Sequence, residues 1–150
     1  MSARLGARIV IAGTHSGAGK TTVATGLLSA LRRAGHRPAG AKVGPDFIDP
    51  GYHAAACGRP PRNLDAWLCG AESVVPLAAR AADDADVLVV EGVMGLFDGA
   101  ADGTPSSTAD VARLLEAPVL RGGRRTRRRT ARRRGCEAAD RRPRRGSRDR

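Results

Sequence analysis

The stretch Gly13-Thr-His-Ser-Gly-Ala-Gly-Lys-Thr21 lies between a continuous apolar run, Ile9, Val10 and Ile11, and a segment that places Val23, Leu27, Leu28 and Leu31 at helical spacing before Gly35. An apolar run without alternation is expected of a strand buried on both faces of a parallel sheet. Strand, glycine loop and helix in that order turn a glycine pattern into a phosphate-binding loop. Glycines let successive backbone N–H groups point at phosphate oxygens, and the helix N-terminus adds partial positive charge. The spacing departs from the strict GxxxxGK[ST] form, because Thr14 stands six residues before Lys20 and the first glycine falls one residue earlier, at Gly13.

The expected nucleotide-contacting set is Gly13, Thr14, Ser16, Gly17, Ala18, Gly19, Lys20, Thr21 and Thr22. Lys20 is placed to reach the β and γ phosphates of ATP. Thr21 offers a hydroxyl to Mg²⁺, a hard cation usually shared between protein oxygens and nucleotide phosphates. Thr22 is placed for the α-phosphate. A glycine-rich turn with a solvated lysine is the bland alternative, and the flanking strand and helix count against it. His15 reads as a tolerated loop residue.

Further along, Pro38 to Val43 predicts a second strand, Ala71 to Ala82 a helix that Pro76 bends or begins, and Asp86 to Val90 another all-apolar strand. Thr108 to Glu116 predicts a helix with its N-cap among Ser106, Ser107 and Thr108, and Ala117 to Leu120 begins a strand that the following arginines interrupt. Alternating strands and helices imply an open, mostly parallel α/β sheet of the P-loop NTPase type, with flanking helices and ligands at the carboxyl ends of the strands.

Two further loops fall at those ends. Lys42-Val-Gly-Pro-Asp-Phe-Ile-Asp-Pro50 gathers one cation and two carboxylates, which no packing requirement demands. Asp46 is placed to hold Mg²⁺, Lys42 to balance a phosphate or substrate carboxylate, and Asp49 to orient substrate; a polar turn is the structural alternative. Glu91-Gly-Val-Met-Gly-Leu-Phe-Asp-Gly99 follows an apolar strand. A carboxylate at the end of a buried strand is costly unless it meets a cation, so Glu91 reads as a metal-binding or water-holding acid. Asp98 reads as part of a flexible substrate-side loop, with a solvated turn as the alternative.

These three blocks, GTHSGAGKT, KVGPDFIDPGYH and EGVMGLFDG, resemble in order and spacing the signature blocks of the cobyrinate (or hydrogenobyrinate) a,c-diamide synthases, over essentially Arg8 to Leu120. The resemblance implies an ATP- and Mg²⁺-dependent ligase of cobalamin biosynthesis that amidates the a and c carboxylates of a corrin through an acyl phosphate. It implies catalytic roles for Lys20, Lys42, Asp46 and Glu91, metal contacts from Thr21, Asp46 and Glu91, and substrate contacts from Lys42, Asp49, Tyr52 and Asp98. In that family glutamine supplies ammonia through a separate C-terminal glutaminase domain with a cysteine nucleophile. None of Cys57, Cys69 or Cys136 stands in a matching motif, so the glutaminase is read as absent and the synthetase domain as partial.

Composition changes abruptly near Leu120. Arg121 to Arg150 holds fifteen arginines and three acids, a net of +12 against +11 for the whole chain, which leaves −1 for the first 120 residues. Like charge at that density predicts a disordered tail, and with it impaired activity and poor solubility of a shortened sheet. The tail admits two readings: an arm that binds nucleic acid non-specifically, or, favoured by the break itself, the product of a shifted reading frame. The near-neutral part suggests no nucleic-acid partner. No signal peptide or membrane span is read, the cysteines form no CxxC pair, and a cytoplasmic protein follows; homodimerisation is left open. Rival functions are a related P-loop ligase of the cobyric acid synthase or dethiobiotin synthetase type, and a ParA- or MinD-like ATPase. Against the last, the position five before Lys20, where those proteins usually carry a signature lysine, is His15.

Overall fold

A computed structural model describes residues 5–122; the arginine-rich segment beyond, with Cys136, lies outside the described residues. Five parallel strands form one sheet in the order β3-β2-β4-β1-β5. In chain order the elements are β1 (Ala7–Gly13), α1 (Lys20–Arg33), β2 (Pro38–Val43), α2 (Asp49–Cys57), β3 (Arg62–Leu64), α3 (Ala66–Cys69), α4 (Val74–Ala81), β4 (Val87–Glu91), α5 (Thr108–Leu114) and β5 (Val119–Gly122).

The central strands have two buried faces with different partners, because successive side chains alternate across the sheet. Val10, Ala39, Ala41, Val43, Leu88 and Val90 meet Val74, Ala78 and Ala81 of α4 and Val111 and Ala112 of α5. On the opposite face Ile11 and Val89 pack against Ala24 and Leu28 of α1 and Ala56 and Cys57 of α2. Following that second face toward the strand ends, the next register pair after Gly40 and Val89 is Lys42 opposite Glu91. The apolar layer thus gives way to charge at the carboxyl edge.

Three expectations are corrected. The strand after Ala117 is not interrupted: Val119–Gly122 pairs with β1 from Val10 to Gly13, so Arg121 and Gly122 continue the ladder. Arg121 can do so because this is the sheet's edge, where a side chain has solvent to reach. The segment Ala71 to Ala82 is not one helix: a 3₁₀ turn over Ala71–Ser73 precedes α4, and Pro76 stands in the first turn of α4, where a missing N–H loses no helical bond. The helix predicted to Glu116 ends at Leu114, and Glu116 turns left-handed at φ 49°. Three elements, α2, β3 and α3, were absent from the sequence reading.

Candidate functional site

Glycine at position 19 begins the site. Gly19 has φ 87°, a left-handed conformation, and serves as N-cap of α1. Beyond the turn, the first residues of α1, Lys20, Thr21 and Thr22, line a cavity of about 370 Å³. The loop contributes Ser16, Gly17, Gly19, Lys20, Thr21 and Thr22 to its wall; Lys42, Asp46 and Asp49 line the second side, and Glu91, Val93 and Met94 the third. The cavity lies where β1, β2 and β4 end, the usual ligand position in an open parallel sheet.

The charged groups form one network. Lys42 Nζ donates to Asp49 Oδ2 at 2.5 Å and to Glu91 Oε1 at 3.1 Å, and lies 3.5 Å from Asp46 Oδ2. Thr21 Oγ1 donates to Glu91 Oε1 at 2.6 Å. Glu91 Oε2 is held at 2.7 Å by His53 Nε2 of α2, and both side chains are essentially inaccessible. Burial pushes the Glu91 carboxyl up, but the hydrogen bonds from His53 and Thr21 and the Lys42 charge outweigh it and hold the group below its ordinary value. Burial pushes the Lys42 ammonium down, and Asp49 and Glu91 outweigh it, so that it stays charged above its ordinary value. Asp46 is held low: the backbone N–H groups of Ile48 and Asp49 and the Lys42 charge overcome its own partial burial.

Lys20 differs. Its Nζ donates to the carbonyls of His15 at 3.0 Å and Met94 at 2.6 Å, and burial first, then the Lys42 charge, lowers its pKa. Met94 has φ 46°, a left-handed conformation that costs a non-glycine residue about 1–2 kcal/mol. A residue in the left-handed region therefore supplies one of the two carbonyls that hold Lys20.

The structure brings together Ser16, Gly17, Gly19, Lys20, Thr21, Thr22, Lys42, Asp46, Asp49 and Glu91. Gly13, Thr14 and Ala18 are not among the lining residues; a Cβ on Gly13 would lie 2.8 Å from that of Ala18. Tyr52 faces an adjoining cavity with Thr21, Thr22, Thr25, Gly26 and Ser29. Asp98 Oδ2 accepts from the Gly95 N–H at 2.8 Å, so it braces the loop after β4 and is not among the residues lining the main cavity. His15 is exposed and contributes its backbone carbonyl.

Sequence reasoning missed His53. Its one signal was spacing: four residues after Asp49 on α2, it shares that residue's helical face. It also missed Asn63 of β3, whose side-chain amide donates to the Asp46 carbonyl at 2.8 Å and fixes the acidic loop.

Whether Mg²⁺ suits these residues follows from the donor set. Among the described residues no three His, Cys, Asp or Glu side chains form a cage for a metal. A cation shared with nucleotide phosphates needs only one or two protein oxygens, and the Thr21 hydroxyl and Glu91 carboxylate, 2.6 Å apart, fit that requirement. Asp46 fits less directly, because its Oδ1 already accepts two backbone N–H groups, from Ile48 and Asp49.

Known proteins carry the same arrangement of sequence. Over 114 residues, 75% of this chain and 24% of the relative, it is 61% identical to a hydrogenobyrinate a,c-diamide synthase of Streptomyces coelicolor. A hydrogenobyrinate a,c-diamide synthase of Mycobacterium tuberculosis is 58% identical over 117 residues, 75% of this chain and 26% of the relative. A cobyrinate a,c-diamide synthase of Syntrophotalea carbinolica is 55% identical over 114 residues, 75% of this chain and 25% of the relative. The chain thus spans about a quarter of the length of the curated relatives it matches. Residues 9–120 match the model of the CobQ/CobB/MinD/ParA nucleotide binding domain, so the chain belongs to that family.

Proposed function

We propose that residues 5–122 form the nucleotide-binding and carboxylate-activating part of an ATP- and Mg²⁺-dependent ligase that converts the a and c carboxylates of cobyrinate or hydrogenobyrinate into amides in cobalamin biosynthesis. One observation carries this reading: Lys20, Thr21, Lys42, Asp49 and Glu91 converge on one cavity at the N-terminus of α1. Two cations and adjacent acids there suit transfer of a phosphoryl group to a carboxylate better than simple nucleotide storage.

The chemistry requires a substrate carboxylate oxygen to attack the γ-phosphorus of ATP, with the bond to the β-phosphate oxygen breaking and ADP leaving. The nitrogen of ammonia then attacks the acyl carbon, a proton is lost, and phosphate departs as the amide forms. Lys20 exchanges its two carbonyl partners for phosphate oxygens and neutralises charge that grows on them. Lys42, held by Asp49 and Glu91 until ligand binds, turns its charge to the incoming carboxylate. Thr21 and Glu91 would hold Mg²⁺, which would supply positive charge against that of the phosphates. The exposed Phe47 and Ile48, between Asp46 and Asp49, and Phe97, beside Asp98, offer an apolar rim for a macrocycle. On this reading the reaction is cytoplasmic, and glutamine serves as the ammonia source only where a glutaminase domain is present.

The test is to incubate the chain with ATP, Mg²⁺, an ammonium salt and hydrogenobyrinate, following phosphate release together with mass spectrometry of the corrin. Corrin-dependent phosphate release, amidated product, and loss of both in Lys20→Ala are expected. ATP turnover indifferent to the corrin and to Lys20→Ala would overturn the proposal.

A further inference from the structure

Of the three side chains that donate to Glu91, two line the cavity and are open to capture by a ligand. Thr21 and Lys42 are among the residues lining the cavity, whereas His53 is not and is fully buried. A carboxylate 1% exposed, deprived of Thr21 and Lys42 on ligand binding, keeps only the His53 N–H. A carboxylate only accepts, so Nε2 carries a proton; Nδ1 meets no hydrogen-bond partner among the described residues. An imidazole kept in the core with one nitrogen unpaired is a poor choice for packing, which an apolar residue would do at lower cost.

The backbone beside it is matched to the ring. Gly40 lies on the same sheet face as Lys42, and a Cβ there would come within 2.8 Å of the His53 Cβ. The side chain missing at residue 40 is the space that lets α2 lay His53 against the sheet and reach Glu91.

Resting on the proposed function, we infer that His53 is a positioning residue: it anchors Glu91 Oε2 so that Oε1 stays turned toward Thr21 and the metal side of the cavity while the other two donors are exchanged for ligand. Residues that hold a metal ligand in this manner are worth about 10–100-fold in metal affinity.

The experiment compares the full chain with His53→Phe, which keeps the ring shape without a donor, and His53→Gln, which restores a side-chain N–H. Binding of adenylyl imidodiphosphate is measured by calorimetry with and without Mg²⁺, beside a thermal melt of each variant. His53→Phe is expected to lower the Mg²⁺-dependent gain in nucleotide affinity by about 10–100-fold. Affinity without Mg²⁺ stays unchanged, and His53→Gln recovers most of the gain. If His53→Phe does not fold, Gly40→Ala takes its place, expected to displace the ring and lose the same gain with His53 still present. An unchanged gain in the variants, equal losses with and without Mg²⁺, or a Gln variant as poor as Phe would overturn the inference. Absence of Mg²⁺-dependent nucleotide binding by the unaltered chain would instead remove the proposed function, and this inference with it.

Discussion

The two faces of the central strands are built from alternate residues of the same sequence and end differently. On the α4 and α5 side β2 presents Ala39, Ala41 and Val43, all apolar to the strand's end. On the α1 and α2 side it presents Gly40 and then Lys42, one pocketing a histidine and the other meeting three carboxylates. β4 repeats the division, with Leu88 and Val90 on one face and Val89 and Glu91 on the other. One face holds the sheet together; the other spends its last position on charge that is stable only as a group.

The sharpest way to break this division is to remove its central cation. Lys42→Ala leaves Glu91 and Asp49 facing each other without the charge between them, an expected loss of about 3–5 kcal/mol in denaturant unfolding. Nucleotide binding should fail with it. Leu88→Ala, on the apolar face, should cost about 2–5 kcal/mol by leaving a cavity, yet leave nucleotide affinity of the folded protein within about twofold. If both variants lose affinity alike, the faces are not separable.

A titration sharpens the contrast without changing the fold. The folded pKa values of Glu91 and Asp46 lie below their ordinary 4.5 and 3.8, so the stability these groups supply is present above those values and is lost as pH falls through the folded ones. Glu91→Gln should flatten that acid loss, measured as the denaturant midpoint against pH, whereas Leu88→Ala should leave its slope unchanged. Lys42 acts in the other direction: its raised pKa gives stability present below 10.5 and lost as pH rises through the folded value.

Smaller effects test the supports. Ser107 caps α5 by accepting from Asp110 N while the Asp110 side chain accepts in return from the Ser107 N–H, so Ser107→Ala should cost about 1 kcal/mol in thermal unfolding. Met94→Gly relieves a left-handed backbone and should change stability by less than about 1 kcal/mol, while lowering nucleotide affinity modestly as the loop after β4 loosens.

Those supports also show where the sequence was readable. β1, β2 and β4 announced themselves because apolar runs and short parallel strands impose each other, and Glu91 stood out as a charge at the end of such a run. α2 hid behind Pro50 and Gly51, which read as loop; Pro50 is tolerated because it falls in the helix's first turn, where its missing N–H has no intrahelical partner. β3 is three residues of mixed polarity, held by pairing with β2 rather than by any pattern of its own. His53 was invisible because its partner lies 38 residues away, on a strand whose register only the folded sheet defines. Lys20, Thr21, Asp46 and Asp49 fall in the wall of the main cavity, whereas Tyr52 and Asp98 are not among its lining residues.

The pairing of Lys42 with Glu91 across β2 and β4 also bears on how the sheet finds its alignment. A strand shifted by one residue turns every side chain to the opposite face, and the apolar residues Ala39, Ala41 and Val43 of β2 and Val87 to Val90 of β4 would tolerate that exchange with little complaint. Lys42 would not: shifted, its ammonium would lie among Val74 and Ala78 with no counter-charge, and Glu91 would lose its histidine. The residues proposed for catalysis therefore also proofread assembly, making the misaligned sheet the expensive one before any nucleotide arrives.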